Sequence, residues 1–194
     1  MAEMARSELI LGGQRSGKSR RAELIARQWL EMSPGHKAVM IATAQPWDDE
    51  MRARIARHQQ DRAERVPGMP TVEEPRELAQ AITRAAGAQT LIVVDCLTLW
   101  LTNWLMPAEE DLAQKTAAAL YPKEQVAMLL EAIEDSSGPL VLVGNEIGLG
   151  VIPMGRETRD FVDALGRLNQ DLAQACERVT FMAAGLPLTL KGPP

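Results

Sequence analysis

Short runs of apolar residues alternate along the chain with longer stretches that have the composition and spacing of helices. The short runs predict β-strands at residues 9–11, 38–42, 91–94, 140–143 and 179–183. The longer stretches predict helices near residues 20–31, 48–66, 75–86, 122–135 and 156–176. This alternation is typical of a parallel sheet covered by helices, so the pattern predicts an α/β fold.

Turns and connections fill the remaining segments. Gly138-Pro139 and Gly185-Leu186-Pro187 predict turns. Pro75 and Pro122 stand at predicted helix starts, where the missing N–H of proline costs little. The segment from Met106 to Tyr121 has no clear partner strand, and we interpret it as a connecting insertion that is helical in part.

One motif lies between the first predicted strand and the first predicted helix. It has the form G-x-x-x-x-G-K-[ST] and consists of Gly12, Gly13, Gln14, Arg15, Ser16, Gly17, Lys18 and Ser19. In such a loop glycines let backbone N–H groups surround phosphate oxygens, and the N-terminus of the helix adds positive charge. Lys18 would reach the outer phosphates, and the Ser19 hydroxyl would bind Mg²⁺. A glycine-rich turn without a ligand is the alternative, but the flanking elements favour a nucleoside triphosphate site.

Acidic residues follow two later strands, and ligands of open parallel sheets bind beyond the carboxyl ends of the strands. Asp95 ends an apolar run, which is the usual form of the second, Mg²⁺-orienting motif of phosphate-loop proteins. The alternative is that Asp95 caps a helix beginning near Leu97. Glu146 could orient a nucleophile or hold metal-bound water, or it could be a loop carboxylate exposed to solvent.

The predicted helix at residues 48–66 carries a histidine among arginines. His58 shares one face with Arg54 and Arg62 at four-residue intervals, and Arg57 precedes it. On pattern alone a packed or partly exposed histidine is favoured over a catalyst. A neutral imidazole beside guanidinium groups is nevertheless a reasonable nucleophile toward phosphorus, and the three arginines could hold a triphosphate. His36, the other histidine, is interpreted as a surface loop residue.

Composition narrows the class of protein. With 194 residues the chain suits one domain with a sizeable core, so we interpret residues 1–194 as a single nucleotide-binding domain. The net charge of −5 argues against general binding to nucleic acid. Cys96 and Cys176 follow no metal spacing and are expected to be small buried residues. No apolar stretch predicts a signal peptide or membrane span, so we expect a cytoplasmic enzyme. The Asn-Lys-x-Asp motif of switch GTPases is missing.

Taken together, these motifs resemble a known family over nearly the whole chain: the bifunctional cobinamide kinase and cobinamide-phosphate guanylyltransferase of cobalamin biosynthesis. Each motif alone is only moderately specific, but their occurrence together and in this order makes the match specific. The matching stretches are residues 12–23, 41–44, 48–51, 54–58, 94–100, 102–103, 145–153, 166–170 and 184–188.

The resemblance implies two reactions. The first phosphorylates the aminopropanol hydroxyl of adenosylcobinamide with ATP or GTP, and the second transfers GMP from GTP to that phosphate. Members of the family carry the GMP on a histidine, and the matching position is His58, which we therefore take as the covalent nucleophile. The resemblance also implies a RecA-like fold and a homotrimer with nucleotide sites near subunit interfaces.

This chain departs from the family pattern at Ala63, Gln14 and Gly144, where proline, a small residue and serine are common. None of these departures removes a chemical group that the reactions need. Two rival interpretations remain. One is a small-molecule kinase that uses only Lys18, Ser19 and Asp95, and the other is a nucleotide switch that binds a protein partner.

Overall fold

The computed structural model describes residues 4–106 and 122–193, so most of the predicted insertion at 106–121 lies outside the described residues. The strands are β1 Ser7–Gly12, β2 Lys37–Ala42, β3 Thr71–Glu73, β4 Thr90–Asp95, β5 Leu140–Val143, β6 Arg178–Ala183 and β7 Leu186–Lys191. The helices are α1 Lys18–Met32, α2 Asp49–Arg65, α3 Leu78–Ala85, α4 Leu97–Leu105, α5 Lys123–Glu134 and α6 Arg156–Ala175.

The strands form one seven-stranded sheet in the order β3-β2-β4-β5-β1-β6-β7. Neighbours from β3 to β6 pair in parallel, and β7 pairs antiparallel with β6. The predicted α/β fold with a mostly parallel sheet is therefore confirmed. Parallel pairing places the carboxyl ends of β1, β2, β4 and β5 along one edge of the sheet.

Helices cover both faces of this sheet, and alternate strand residues point into two separate cores. Ile92 and Val94 of β4 belong to one core, which α3, α4, α5 and α6 cover, whereas Leu91 and Val93 belong to the other. Burial on both faces explains why these strands are continuous apolar runs in the sequence. Helix α1 covers the second core with Ala22 and Ala26.

Two strands were missing from the predicted elements, and the helix α4 was considered only in the alternative for Asp95, as a helix beginning near Leu97. The strand β3 has only three residues, too few for a periodic pattern. Leu186 and Pro187, predicted as part of a turn, begin β7, and the edge position tolerates a residue without an N–H. Helix α4 is short and mostly apolar, with six apolar residues among nine, so its sequence does not display a clear helical period.

One predicted helix start is wrong. Helix α3 begins at Leu78, three residues after Pro75. The Pro75 carbonyl instead accepts a hydrogen bond of 2.9 Å from Nδ2 of the buried Asn103, and this contact from α4 holds the segment outside the helix. Pro122 is the residue immediately before α5, as predicted. No described helix is long and apolar enough to cross a membrane.

Close backbone packing before β5 gives a test of the sheet arrangement. A Cβ at Gly138 would lie 2.5 Å from the Thr90 carbonyl oxygen and would also meet that of Gly87. We expect Gly138→Ala to lower the free energy of unfolding by about 1–3 kcal/mol, because backbone must move to make room. Chemical denaturation followed by circular dichroism measures this change.

Gly166→Ala is the matched control, since a Cβ at Gly166 on α6 has nothing within 4 Å. Alanine in a helix is favoured over glycine by roughly 1 kcal/mol, so this variant should be unchanged or stabilised. Equal unfolding midpoints for the two variants would contradict the packing around Gly138.

Candidate active site

The phosphate loop lies between β1 and α1 and requires glycine at two positions. Gly12 and Gly17 have φ angles of +151° and +101°, which residues other than glycine rarely adopt. A Cβ at Gly12 would stand 2.5 Å from the carbonyl oxygen of Met182 on β6. The turn before β7 supports the loop from outside, because Gly185 N donates to Ser16 O at 3.0 Å.

Lys18 is the buried cation of this loop. The residue is only 8% exposed, and its Nζ donates a hydrogen bond to Gly13 O at 2.7 Å. Burial lowers the pKa of Lys18, while the charge of Asp95 acts in the opposite direction and that of Arg54 adds to the lowering. These charges reach Lys18 from the end of β4 and from α2, so three elements converge on the loop.

Asp95 is not the cap of α4. The N-cap residue of that helix is Cys96, and its N-terminus receives no side-chain capping hydrogen bond. Within the described residues the Asp95 carboxylate makes no hydrogen bond or ion pair, although it is only partly exposed. The carboxylate is therefore available to a ligand at the same edge as Lys18.

The loop fits a phosphate group. Ser16 Oγ is buried and has no hydrogen-bond partner among the described atoms, and Ser19 at the start of α1 is half-buried. No group of three or more His, Cys, Asp or Glu side chains in the described parts of the chain could hold a metal ion. A Mg²⁺ at Ser19 and Asp95 would thus need phosphate oxygens or water as its other ligands, which is how Mg²⁺ is usually bound.

Buried polar side chains connect the neighbouring strand ends, and the sequence did not mark them as a set. The Thr43 hydroxyl donates to Cys96 O at 2.7 Å and accepts from Cys96 N at 2.9 Å, which joins the ends of β2 and β4. Asn103 Nδ2 donates to Thr43 O, and Thr98 Oγ1 accepts from Asn145 N. The available signal was the presence of polar residues, Thr98 and Asn103 among them, in a mostly apolar helix.

Glu146 is held at the same edge rather than lying free in solvent. Its N–H donates to Gly12 O at 3.1 Å, and Oε1 accepts from Gly148 N at 2.7 Å. Oε2 accepts a longer contact of 3.4 Å from Nδ2 of the buried Asn169. The carboxylate is thus oriented beside the phosphate loop, and its catalytic role stays a prediction.

Helix α2 contacts the body of the protein with polar side chains. Arg62 is its only buried residue, and Nη2 donates to Thr71 Oγ1 on β3 at 3.0 Å. Arg54 and Arg57 are exposed, and the charge of Arg54 acts on Lys18. A role in binding nucleotide stays a prediction for all three arginines, and for Arg62 the contact with Thr71 already engages one amino group.

The two histidines differ in their surroundings. His58 is exposed, and its ring makes no hydrogen bond within the described residues. His36 is half-buried, stacks on Trp29 with ring centroids 3.6 Å apart, and donates through Nδ1 to Trp29 O at 2.7 Å. The interpretation of His36 as a surface loop residue therefore missed its packing. His36 precedes β2, at the edge of the sheet opposite to the phosphate loop.

Both cysteines are buried, as predicted, and neither is in a disulfide. Burial raises the pKa of Cys96 to about 12 and that of Cys176 to about 11. Neither thiol is therefore appreciably ionised at neutral pH, where a nucleophilic cysteine must supply thiolate.

Comparison with solved structures supports the fold. The chain is similar to the flagellar accessory protein FlaH from Methanocaldococcus jannaschii, with a TM-score of 0.53 and 11% sequence identity. The similarity covers 97% of this chain and 80% of that one, and at this identity it shows the fold alone.

Comparison with curated proteins gives more similar sequences. The chain is 46% identical to the bifunctional adenosylcobalamin biosynthesis protein CobP of Pseudomonas aeruginosa, over 96% of this chain and 98% of that protein. It is 35% identical to the protein CobU of Salmonella typhimurium, over 94% and 98% of the two chains. Residues 8–190 match the family described as cobinamide kinase / cobinamide phosphate guanyltransferase. The chain therefore belongs to this family of bifunctional enzymes.

Proposed function

We propose that this chain phosphorylates adenosylcobinamide with ATP or GTP and then transfers GMP from GTP to the product through His58. Two findings support the proposal: the chain belongs to the family, and the phosphate loop lies at one edge with Asp95 and Glu146. The observation that carries the proposal is the match of residues 8–190 to the family, and the histidine step rests on His58 standing at the position of the family's histidine.

In the first reaction the corrinoid hydroxyl oxygen forms a bond to the γ-phosphorus, and the bond from that phosphorus to its bridging oxygen breaks. The hydroxyl proton passes to solvent water, and a nucleoside diphosphate leaves. Lys18 holds the outer phosphates and offsets their charge, which buried cations do more strongly than exposed ones. Mg²⁺ held by Ser19 and Asp95 would neutralise further phosphate charge. Glu146 would orient the attacking group from its position beside the phosphate loop.

In the second reaction a neutral imidazole nitrogen of His58 forms a bond to the α-phosphorus of GTP. The bond between that phosphorus and the bridging oxygen breaks, and pyrophosphate leaves. A phosphate oxygen of the corrinoid then forms a bond to the same phosphorus and releases the histidine. A ring without intramolecular hydrogen bonds keeps a lone pair available for this attack.

The proposal extends to the organisation of the enzyme. Residues 1–194 would act as one domain, in the cytoplasm, and assemble as a homotrimer with nucleotide sites near the subunit interfaces. Exposed apolar side chains are consistent with assembly: Leu149, Val151, Ile152 and Met154 in the loop after β5, and Leu186, Leu188 and Leu190 on β7.

The first test addresses the phosphate loop. Lys18→Ala removes a charge-assisted contact with the outer phosphates, and such contacts contribute roughly 1.5–3 kcal/mol. Binding of ATP or GTP, measured by calorimetry, should weaken by roughly tenfold or more, and kinase turnover should fall further. Lys37→Ala removes an exposed lysine at the opposite edge of the sheet and is the matched control. Unchanged kinase kinetics in Lys18→Ala would overturn the assignment.

The second test addresses the metal. Asp95→Asn keeps the shape of the side chain but removes its charge, so the Mg²⁺ concentration for half-maximal activity should rise. A Mg²⁺ titration of kinase activity measures the change, and Asp163→Asn on the exposed side of α6 is the control. Superimposable titrations of Asp95→Asn and the parent enzyme would show that Asp95 does not serve the metal.

The third test addresses the covalent step and separates the proposal from both rival interpretations. GTP radiolabelled at the α-phosphate should label the protein, whereas GTP labelled at the γ-phosphate should not. Added pyrophosphate should reverse the labelling, and the label should survive alkali but not acid, as expected of a phosphoramidate. His58→Asn should abolish labelling yet keep measurable phosphorylation of cobinamide, because that reaction needs no covalent histidine.

His36→Asn is the control for this experiment. Asparagine can still donate the hydrogen bond to Trp29 O, so the variant should fold and label normally. Undiminished labelling of His58→Asn would move the nucleophile to another residue, and failure to label the parent enzyme would favour a kinase or a switch.

A further inference from the structure

We propose that Glu23 and Arg65 are positioning residues that fix the helix carrying His58 to the helix of the phosphate loop. The proposal rests on the guanylyl transfer through His58 set out above. It concerns an ion pair between α1 and α2 that neither the motifs nor the family resemblance assigned.

The ion pair joins a buried carboxylate to a partly exposed guanidinium. Arg65 Nη1 lies 2.7 Å from Glu23 Oε2, and Glu23 is 2% exposed. Arg65 Nη2 also contacts Asp61 on its own helix at 3.1 Å. The hydrogen bond to Glu23 raises the pKa of Arg65, and an arginine is charged at neutral pH in any case. A buried carboxylate without a partner lowers the stability of the fold. Arg65 is therefore expected to keep its position against Glu23.

Glu23 lies on the helix that starts at the phosphate loop. It is five residues after Lys18 on α1, and Ala22 and Ala26 on either side of it pack into the core of the protein. The carboxylate therefore has a fixed position relative to the loop. Because Arg65 of α2 contacts this carboxylate, the position of α2 relative to the loop is fixed as well.

Arg65 lies on the helix face that carries His58. Residues 58, 62 and 65 are spaced at four and seven positions, which puts their side chains on one face of α2. Arg62 reaches Thr71 on β3, and Arg65 reaches Glu23 on α1. Two successive arginines thus hold the His58 face, one against the sheet and one against the phosphate-loop helix.

Apolar packing does not supply this attachment. Within α2, whose residues are all described, Arg62 is the only buried side chain, whereas Met51 and Ile55 are half-buried. The fully buried apolar side chains nearby, Val66 and Met69, lie after the helix ends. The orientation of His58 therefore depends on polar contacts at the C-terminal end of α2. Displacement of a reacting group by about 1 Å can cost roughly a hundredfold in rate.

The test compares the two reactions in charge-removing variants. Glu23→Gln and Arg65→Met should each lower the single-turnover rate constant of labelling by α-labelled GTP roughly tenfold to a hundredfold. The GTP concentration for half-maximal labelling and the kinase kcat with ATP should stay within about twofold, since the phosphate loop itself is unchanged. Arg65→Lys keeps a cation and should recover part of the lost rate.

Two control variants remove ion pairs that do not join the helices. Asp61→Asn takes away the other partner of Arg65, and Arg27→Met removes the exposed pair with Glu31 on α1. Both should label at the parent rate. The double variant Glu23→Gln/Arg65→Met leaves no buried unpaired charge, so it folds even where a single variant is destabilised, and it should label as slowly as the single variants.

Three results would overturn the positioning role: an unchanged labelling rate, an equal fall of labelling and kinase activity, or normal labelling in the double variant. The last would show that the single variants act only through an unpaired buried charge. Failure of the proposed function looks different, because the parent enzyme would then not be labelled or His58→Asn would label as well as the parent.

Discussion

A sheet covered on both faces can bury a polar side chain only where that side chain finds a hydrogen-bond or charge partner, and this constraint governs where polar groups stand along the strands. The interiors of β4 and β5 are apolar, because an unpaired polar group there would lose its contact with water. Charged and hydroxyl groups appear at the carboxyl ends, where Thr43, Asp95 and Glu146 stand beside the phosphate loop. Buried polar groups at this edge form hydrogen bonds with one another, as the two hydrogen bonds between Thr43 and Cys96 illustrate.

The helices differ in how they are attached to this sheet. Helices α3 to α6 bury apolar side chains in one core, and α1 buries alanines in the other. Helix α2 is held by guanidinium groups on a hydroxyl and a carboxylate. Exposed ion pairs contribute little to stability. The buried carboxylate of Glu23, in contrast, is stable only with its partner close by, so its contact with Arg65 restricts the position of α2. Apolar packing thus fixes the fold, while directional polar contacts fix the orientation of the helix that carries His58.

In the proposed mechanism this division separates the two activities. Phosphoryl transfer uses the loop, its buried lysine and the Asp95 carboxylate at the end of β4, all of which lie at one edge of the sheet. The proposed transfer through His58 would also need α2 in one orientation relative to that edge. A chain with an intact loop but altered contacts between α1 and α2 would keep the first capacity and lose the second.

The sequence by itself determined the alternation of strands and helices, the phosphate loop and the family, because these depend on local periodicity and on motifs of contiguous residues. The predicted strand at 140–143 coincides with β5, and the predicted helix at 48–66 differs from α2 by one residue at each end. Only the tertiary structure decided that Leu186 and Pro187 start an edge strand and that His36 stacks on Trp29. It also decided that Arg65 reaches Glu23 across 42 positions of sequence. Helical spacing shows which side chains share a face, but the partner of that face is set by packing between distant segments, which no local pattern records.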